Sequence, residues 1–476
     1  MKGKFIRDLS ANTMAVLVNQ FCSMTIFYLL SAFLLKRDFG EINWSMAILL
    51  TSYTILSFGL DQVVIKKIAA GNNTASLLTL YTAHVLIAGL IFYGLLVASY
   101  FIFPAFFSQH QLLLILGIGK FMIFLSIPFK QIFTGLEKFR PLFFMTICAN
   151  VFRLIALTTF AFLKWLDLET IIIIFVAGDL AELLLCFFIG EKVAKINFRT
   201  HFSIKKYVAI LKESLTQFGV VIFSSAMARF DWILLGILAG TVVLAEYSFA
   251  YKVYEIATLP LLIIAPILIP RFTKLFQSPS GHEYQNKLTR FFILLRLEII
   301  VACGIALALN ILWEPVINFI TDNNYGTVNS KTIFILSLSM PFIYFNNFLW
   351  TINFTQDRLR LVLIIYGVTF LINLIADFIL IPFFQAEGAA LGYLLAIIVQ
   401  SLLFLKITKL EGLHTISLKL LLVPVIALVS WMVTSFIFIS VPFVFISSLF
   451  LFSILLFFSR IFHRTDLVAV KTIIRL

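Results

Sequence analysis

Charged side chains are scarce in this sequence. Asp, Glu, Lys and Arg make up 12% of its 476 residues, whereas hydrophobic residues make up 61%. Because about a quarter of the residues in a soluble domain are charged, this composition excludes a water-soluble globular protein of this length. Long apolar runs recur along the whole chain instead, and runs of roughly 20 apolar residues are typical of transmembrane helices.

Cysteine and histidine are also sparse, with four and six residues. Cys22, Cys148, Cys186 and Cys303 all lie in apolar runs, where a thiol behaves as a small hydrophobic side chain. The sequence contains no CxxC, no HExxH and no Gly-rich phosphate loop, the motifs that commonly bind metals or nucleotides. It therefore predicts no disulfide, no metal site and no cofactor.

The apolar runs predict an all-α polytopic membrane protein with about fourteen transmembrane helices, since a β-barrel would show short alternating segments. The predicted spans are 9–34, 42–65, 77–102, 112–135, 141–163, 170–190, 213–238, 244–269, 291–319, 332–355, 361–383, 388–408, 418–438 and 442–460.

Lys and Arg predict the orientation, because cytoplasmic loops of membrane proteins are enriched in these residues. With a cytoplasmic N-terminus, only Lys36, Arg37, Lys164 and Lys331 fall in loops on the opposite side. Both termini are therefore predicted to be cytoplasmic. The net charge of +13 follows from this topology, so it gives no reason to expect a nucleic-acid partner.

The regions outside the predicted spans are short, so the function is predicted to lie within the bilayer. The first span follows a basic segment and has no small-residue cleavage site, which predicts a retained signal-anchor. Segments 202–211 (FSIKKYVAIL) and 466–476 (DLVAVKTIIRL) combine apolar and basic residues. Both are predicted to lie along the membrane surface.

Two pairs of similar segments indicate an internal repeat. WSMA (44–47) opens span 2 and YSFA (247–250) opens span 8, while FTGLEKFR (133–140) and FTQDRLR (354–360) follow spans 4 and 10. Copies six spans apart share one orientation, which predicts two six-helix lobes related as a parallel repeat. The predicted domains are an N-terminal lobe, a C-terminal lobe, and a pair of added helices with an amphipathic tail, at 1–200, 201–412 and 413–476.

The segment FDWILLGILAGTVVLAEYSFAYKVYEIATLPLLIIAPILIPRFTKL (230–275) resembles spans 7 and 8 of the Wzx-type flippases, which translocate polysaccharide repeat units. Those flippases are members of the multidrug/oligosaccharidyl-lipid/polysaccharide exporter superfamily. Their pattern has an acid, small residues, an aromatic-Ser-x-Ala start, a base and a proline. The matching residues are Asp231, Gly236, Gly240, Tyr247, Ser248, Ala250, Lys252 and Pro270.

Further segments extend the resemblance over nearly the whole chain, namely 57–70, 325–342 and 381–401. The resemblance implies a transporter of the bacterial inner membrane. Its substrate would be an undecaprenyl-pyrophosphate-linked oligosaccharide, flipped by alternating access for O-antigen or capsule assembly. Membrane lipids, a polysaccharide polymerase and a chain-length regulator are the other partners that it implies.

Basic residues within spans are the candidate pyrophosphate ligands, because a charge in the bilayer costs about 2.5–3.5 kcal/mol and usually has a function or a partner. Lys252 matches a basic position of the flippases, but it also has Glu255 one helical turn away. Arg153 faces either the substrate or Asp179 and Glu182. Arg296 either meets the pyrophosphate or extends to the lipid headgroups. Lys120 is attributed to close packing beside Gly117 and Gly119.

Arg229 and Asp231 lie about 200° apart on a helix, so the sequence predicts that they face different neighbours. Arg229 is a further candidate ligand, and the small residues at Gly236, Ala239 and Gly240 predict a close approach of span 7 to another helix.

Aromatic and amide side chains are candidates for binding sugars. Tyr251 shares a helix face with Tyr247 and Tyr254, and it either stacks on sugar rings or packs against neighbours. Asn346 in span 10 either binds sugar hydroxyls or joins helices. The lone His84 is predicted to be a hydrogen-bonded core residue.

Carboxylates in apolar spans are the candidate ion-coupling groups, because an apolar surrounding disfavours their charged form. The candidates are Asp179, Glu182, Asp231, Glu255 and Asp377. Both H+ and Na+ are compatible with them.

The sequence favours a flippase over two alternative functions. A cation-coupled drug exporter of the same superfamily should have a cavity rich in acids, whereas this chain has several bases within its spans. A membrane polymerase or ligase should have a large periplasmic loop with Arg and His. His110 is the only histidine in the short loops predicted on that side, so a transporter is predicted and an enzyme is not.

Overall fold

The computed structural model describes residues 2–194, 202–261, 282–356, 358–459 and 461. Over these ranges the regular elements are helices joined mostly by short turns. The chain forms two compact units, Met1–Ala245 and Glu246–Leu476. The boundary between them lies within one helix, Thr241–Ala257.

The first unit contains nine helices within its described residues. They are α1 (Lys2–Phe33), α2 (Lys36–Leu56), α3 (Leu60–Ala69), α4 (Thr74–Ile102), α5 (Pro104–Phe107), α6 (Leu112–Gly135), α7 (Phe139–Phe162), α8 (Leu168–Ala194) and α9 (Ile204–Leu238). The following helix α10 (Thr241–Ala257) contains the unit boundary.

Helix α6 is the centre of the first unit. It packs against α2, α3, α4, α7 and α8, while α1 packs on α7 and α2 packs on α9. Phe124, Phe133 and Tyr53 are buried in this core. Large apolar side chains such as Phe101 and Phe162 are exposed on the outside, as expected for a surface that faces lipid tails.

The second predicted span is bent. Helices α2 and α3 meet at an angle of 48°, and the turn between them contains Gly59 with φ of 68°. A glycine favours this left-handed conformation because it has no Cβ. The Leu56 carbonyl, which is freed at the break, accepts a hydrogen bond from His84 Nε2 at 2.8 Å.

The second unit continues from α10. Its described helices are α11 (His282–Ile320), α12 (Ser330–Leu338), α13 (Met340–Thr355), α14 (Leu359–Ile407), α15 (Leu413–Leu420), α16 (Leu422–Ile437) and α17 (Val441–Phe458). Helix α11 packs against α12, α13, α15, α16 and α17, and α14 packs against α12 and α13.

Helix α14 consists of two helices joined at Gln385, where φ is 49° and ψ is −121°. Pro382, three residues earlier, cannot donate a backbone hydrogen bond, which favours an interruption at this point. The predicted spans 361–383 and 388–408 therefore correspond to the two halves of one helical element.

The all-helical polytopic architecture is confirmed, but the count of fourteen spans is not. Ten described helices are long and apolar enough to cross a membrane, or eleven if the bent pair α2–α3 is one span. The difference arises partly because α14 counts once, and because the apolar part of α1, Leu17–Phe33, is shorter than the others.

Residues 262–269 of predicted span 8, Pro270 and the tail at 466–476 lie outside the described residues. Segment 202–211 is described and leads into α9, where Lys205 and Lys206 are exposed. The repeat and the domain limits at 200 and 412 stay predictions.

Candidate functional site

Asp179 on α8 binds two cations that come from different helices. Lys120 Nζ on α6 lies 2.9 Å from its Oδ2 atom, and the Arg153 guanidinium on α7 donates to its Oδ1 atom. The acid is fully buried, and the two bases are each 7% exposed. The three residues thus form an ion cluster inside the first unit, here called the Asp179 cluster.

Glycine makes this close approach sterically feasible. A Cβ atom at Gly119 would lie 2.5 Å from Asp179 Oδ2, and one at Gly178 would lie 3.0 Å from the Arg153 Cγ atom. Both distances are shorter than ordinary van der Waals contacts. The prediction that Gly119 marks close packing is therefore accurate, but Lys120 itself belongs to the ion cluster.

A second ion pair lies one turn farther along α8. Glu182 accepts a hydrogen bond from Lys130 on α6, and the Ser126 hydroxyl lies 3.4 Å from the same carboxylate oxygen. Because Asp179 and Glu182 are three residues apart, they share one face of the helix. Both acids therefore face bases on α6.

The network extends from Arg153 toward the first helix. Arg153 Nη1 donates to Asn150 Oδ1 at 3.1 Å, and Asn150 Nδ2 donates to Asn19 Oδ1 at 3.1 Å. Of the two interpretations open for Arg153, the geometry matches the ion pair with Asp179. Within this network three bases, Lys120, Lys130 and Arg153, face two acids.

Arg229 and Asp231 on α9 both contact Trp232, through different groups, and their facing different neighbours stays a prediction. The Arg229 guanidinium carbon lies 4.4 Å from the centroid of the Trp232 ring, a cation–π contact. Its Nη1 atom is buried and has no hydrogen-bond partner among the described residues. Asp231 is 3% exposed, and its Oδ1 atom accepts the Trp232 backbone N–H at 2.8 Å.

The small residues of α9 allow the predicted close approach, and the neighbour is α2. A Cβ atom at Gly236 would lie 2.0 Å from Cδ1 of Trp44. The Trp44 indole N–H donates to the Ile233 carbonyl at 3.2 Å. Trp44 also lies 4.3 Å from the His110 ring centroid, and His110 Nδ1 lies 2.9 Å from Glu41 Oε2.

Lys252 in the second unit forms the local pair that the sequence leaves open as one interpretation. Its Nζ atom lies 2.8 Å from Glu255 Oε2, and the two side chains are 12% and 38% exposed. The pair is thus partly open to its surroundings, in contrast to the enclosed Asp179 cluster.

The tyrosines of α10 pack against one another. Tyr247 and Tyr251 have ring centroids 5.8 Å apart, as do Tyr251 and Tyr254. Tyr393 on α14 adds edge-to-face contacts to Tyr251 and Tyr254, at 6.1 and 6.2 Å. All three α10 rings are buried, so aromatic packing accounts for their spacing.

The amide candidate Asn346 joins helices α13 and α14 of the second unit, whereas Asn373 forms a bond within α14. Asn346 Nδ2 donates to the Ile397 carbonyl at 3.1 Å and to Gln400 Oε1 at 3.0 Å. Asn373 Nδ2 donates to Asp377 Oδ2 at 2.9 Å. Asp377 is 1% exposed.

The geometry also identifies residues that the sequence did not single out as sites. Glu298 on α11 is 4% exposed, and neither of its carboxylate oxygens has a hydrogen-bond partner among the described residues. The sequence marks Glu298 only by its position in the apolar run after Arg296. Arg296 itself is half-buried. His84 agrees with its prediction, since it bonds both the Leu56 carbonyl and the Tyr207 hydroxyl at 2.8 Å.

Known proteins are similar to this chain over more than half of its length. The sequence model of a family described as "Polysaccharide biosynthesis protein" matches residues 5–276. The structure of lipid II flippase MurJ in an inward closed conformation is similar over 95% of this chain and 99% of its own, with a TM-score of 0.70 and 17% identity. A search of curated protein sequences finds no match.

Multidrug resistance transporters share the fold as well. An inward-facing MATE family transporter of the MOP superfamily is similar over 84% of this chain and 95% of its own, with a TM-score of 0.68 and 12% identity. The Vibrio cholerae MATE transporter VcmN in the bent form is similar over 87% and 98%, with a TM-score of 0.56 and 14% identity. At these identities the likeness concerns the fold.

Proposed function

Because the chain belongs to the polysaccharide biosynthesis protein family, we propose that it flips an undecaprenyl-pyrophosphate-linked oligosaccharide across the bacterial inner membrane. The oligosaccharide is a repeat unit for O-antigen or capsule, and both termini of the chain are cytoplasmic. Transport proceeds by alternating access and breaks no covalent bond. A polysaccharide polymerase and a chain-length regulator act on the delivered repeat unit.

The observation that carries this proposal is the local charge balance around Asp179 and Glu182. There, three bases face two acids inside the first unit. Elsewhere in the same unit, Arg229 stacks on the Trp232 ring, and its buried Nη1 atom has no hydrogen-bond partner among the described residues. A pyrophosphate in the bilayer needs positive charge near its path, because an unpaired anion there is costly. These bases are therefore proposed to balance the charge of an anionic substrate.

Four bases are proposed to interact with the pyrophosphate: Lys252, Arg153, Arg229 and Arg296. Lys252 is the principal ligand. A lysine is a compact point charge, which suits a group that the transporter binds and then releases. Its partner Glu255 is 38% exposed, so an incoming phosphate can compete for the ammonium group.

Polar and aromatic groups are proposed to accompany the sugars and the coupling ion. Tyr251 and Asn346 contact sugar, and the acids Asp179, Glu182, Asp231, Glu255 and Asp377 couple transport. Asp179 and Glu182 already bind bases, so their role is to exchange partners during the cycle.

A cation-coupled drug exporter is the second candidate, supported by the likeness to MATE transporters. Reconstituted vesicles distinguish the two functions. The purified chain should speed the appearance of a fluorescent lipid-linked oligosaccharide in the opposite leaflet, and it should not accumulate a cationic drug. Drug accumulation without lipid flipping would reject the flippase.

A further inference from the structure

Glu298 is a buried acid of the second unit that has no counter-ion among the described residues. It lies on α11, in the apolar segment Phe291–Ile320. Among the described residues no donor reaches its Oε1 or Oε2 atom. Arg296 is two positions away, which on a helix is about 200° around the axis. The neighbouring base therefore points away from the acid.

Tyr344 on α13 is a second buried polar group in this part of the unit. Helix α13 packs against α11. Tyr344 is fully buried, and its hydroxyl has no hydrogen-bond partner among the described residues. A buried acid and a buried hydroxyl, both unsatisfied, thus lie on helices that pack together.

The other helices around α11 offer no compensating charge. Helices α16 and α17 contain no ionisable side chain. Lys331 at the start of α12 has a side chain that is 79% exposed and lies 3.8 Å from Glu387. His414 and Lys419 are the ionisable residues of α15, and neither bonds to Glu298 in the described structure.

An unpaired carboxylate in an apolar interior is unstable, because burial removes its hydration. It becomes stable when it takes up a proton. Asp179 differs in this respect, because Lys120 and Arg153 already neutralise it.

We propose that Glu298 is a proton-binding site inside the second unit. The carboxylate takes up one proton to become a carboxylic acid, and it releases that proton when α11 is rearranged toward water. The proton cycle drives the flipping step; this second statement rests on the proposed transport function.

Infrared difference spectroscopy on the purified, detergent-solubilised chain tests the site without any substrate. At neutral pH the wild-type protein should show the carbonyl band of a carboxylic acid, and Glu298→Gln should remove it. Glu314→Gln on the same helix is the matched control and should leave the band unchanged. Tyr344→Phe should leave the band in place, because the Tyr344 hydroxyl has no hydrogen-bond partner among the described residues.

Folding is checked in parallel. Glutamine has the shape and neutrality of the protonated acid, so Glu298→Gln should melt at the wild-type temperature or higher. A second variant, Glu298→Asp, keeps a carboxyl group at this position. Its carboxylic acid band should therefore shift but remain present. The proposal is overturned if no acid band responds to Glu298→Gln, or if Na+ at constant pH abolishes the band, which would assign a cation site.

Vesicles that contain a lipid-linked oligosaccharide test the coupling. A pH gradient should accelerate flipping by the wild-type chain and leave the rate of Glu298→Gln unchanged. Equal acceleration of both proteins would overturn the coupling. If the wild-type chain does not flip the lipid while the infrared band is present, the proposed function fails and the proton site stands.

Discussion

The Lys120 ammonium group lies 2.9 Å from an Asp179 carboxylate oxygen, and the other oxygen of that carboxylate binds Arg153. One buried acid is therefore shared by two bases. Its removal and the removal of one base are not equivalent changes, and this asymmetry can be measured.

Asp179→Asn should destabilise the protein far more than Lys120→Met. The first change leaves two buried cations without an anion, and breaking a buried ion pair costs about 3–5 kcal/mol. The second leaves the neutral pair Arg153–Asp179 and a methionine that fills the space of the lysine stem. The midpoint of thermal unfolding in detergent measures both effects. Lys331→Met, at an exposed site, is the control, and equal losses for Asp179→Asn and Lys120→Met would contradict the shared-acid geometry.

Gly236→Ala should lower the unfolding midpoint, whereas Gly304→Ala should not. A Cβ atom at Gly236 meets the Trp44 ring at 2.0 Å, while one at Gly304 has no atom within 4 Å. In an open helical position, alanine is favoured over glycine by roughly 0.5–1 kcal/mol. Combining Gly236→Ala with Trp44→Leu should recover part of the loss. A Gly236→Ala protein as stable as wild type would mean that α2 and α9 are not in close contact.

Lys252→Ala should abolish or strongly reduce flipping without loss of protein from the membrane, and Lys252→Arg should retain part of it. The decisive variant is Lys252→Ala combined with Glu255→Ala. If the 2.8 Å pair is only structural, removing both charges should restore transport, because no uncompensated charge remains. If Lys252 binds the pyrophosphate, the double variant stays inactive. Transport at normal protein abundance in the double variant would leave Arg153, Arg229 and Arg296 as the candidates.

The topology has a direct test. A reporter fused after Arg464 should report the cytoplasm, and one at Glu387 should report the periplasm. Glu387 lies just after the break at Gln385 and 3.8 Å from Lys331, another residue predicted on that side. A cytoplasmic signal at Glu387 would show that the number of spans between the two positions is wrong.

Much of the fold follows from the sequence, because apolar runs of bilayer length have few structural alternatives. The breaks within spans are harder to predict. Phe58 and Gln385 are ordinary residues with positive φ, and no local pattern distinguishes them. The predicted end of the span at residue 383 lies two residues before the break at Gln385. Pro382, which lacks a backbone N–H, favours an interruption there.

The site was predictable in part for a similar reason. Charges in spans are visible in the sequence, and the pairs Arg153–Asp179 and Lys252–Glu255 were among the interpretations. The ion partner of Lys120 was not predicted, because it is 59 residues away and only helix packing brings the two together. Glu298 was passed over as a site because a missing partner, unlike a present one, has no signature in the sequence.

The break at Gln385 has a consequence for how the protein is made. Asp377 lies on the first half of α14, and Gly392 lies on the second half. A Cβ atom at Gly392 would be only 2.3 Å from a carboxylate oxygen of Asp377. If the first half entered the bilayer alone, this acid would face lipid tails, at a cost of about 2.5–3.5 kcal/mol. With both halves inserted together as a hairpin, the acid is covered as it enters. Membrane insertion of residues 359–407 is therefore favoured as a single event, after the ribosome has completed the whole segment.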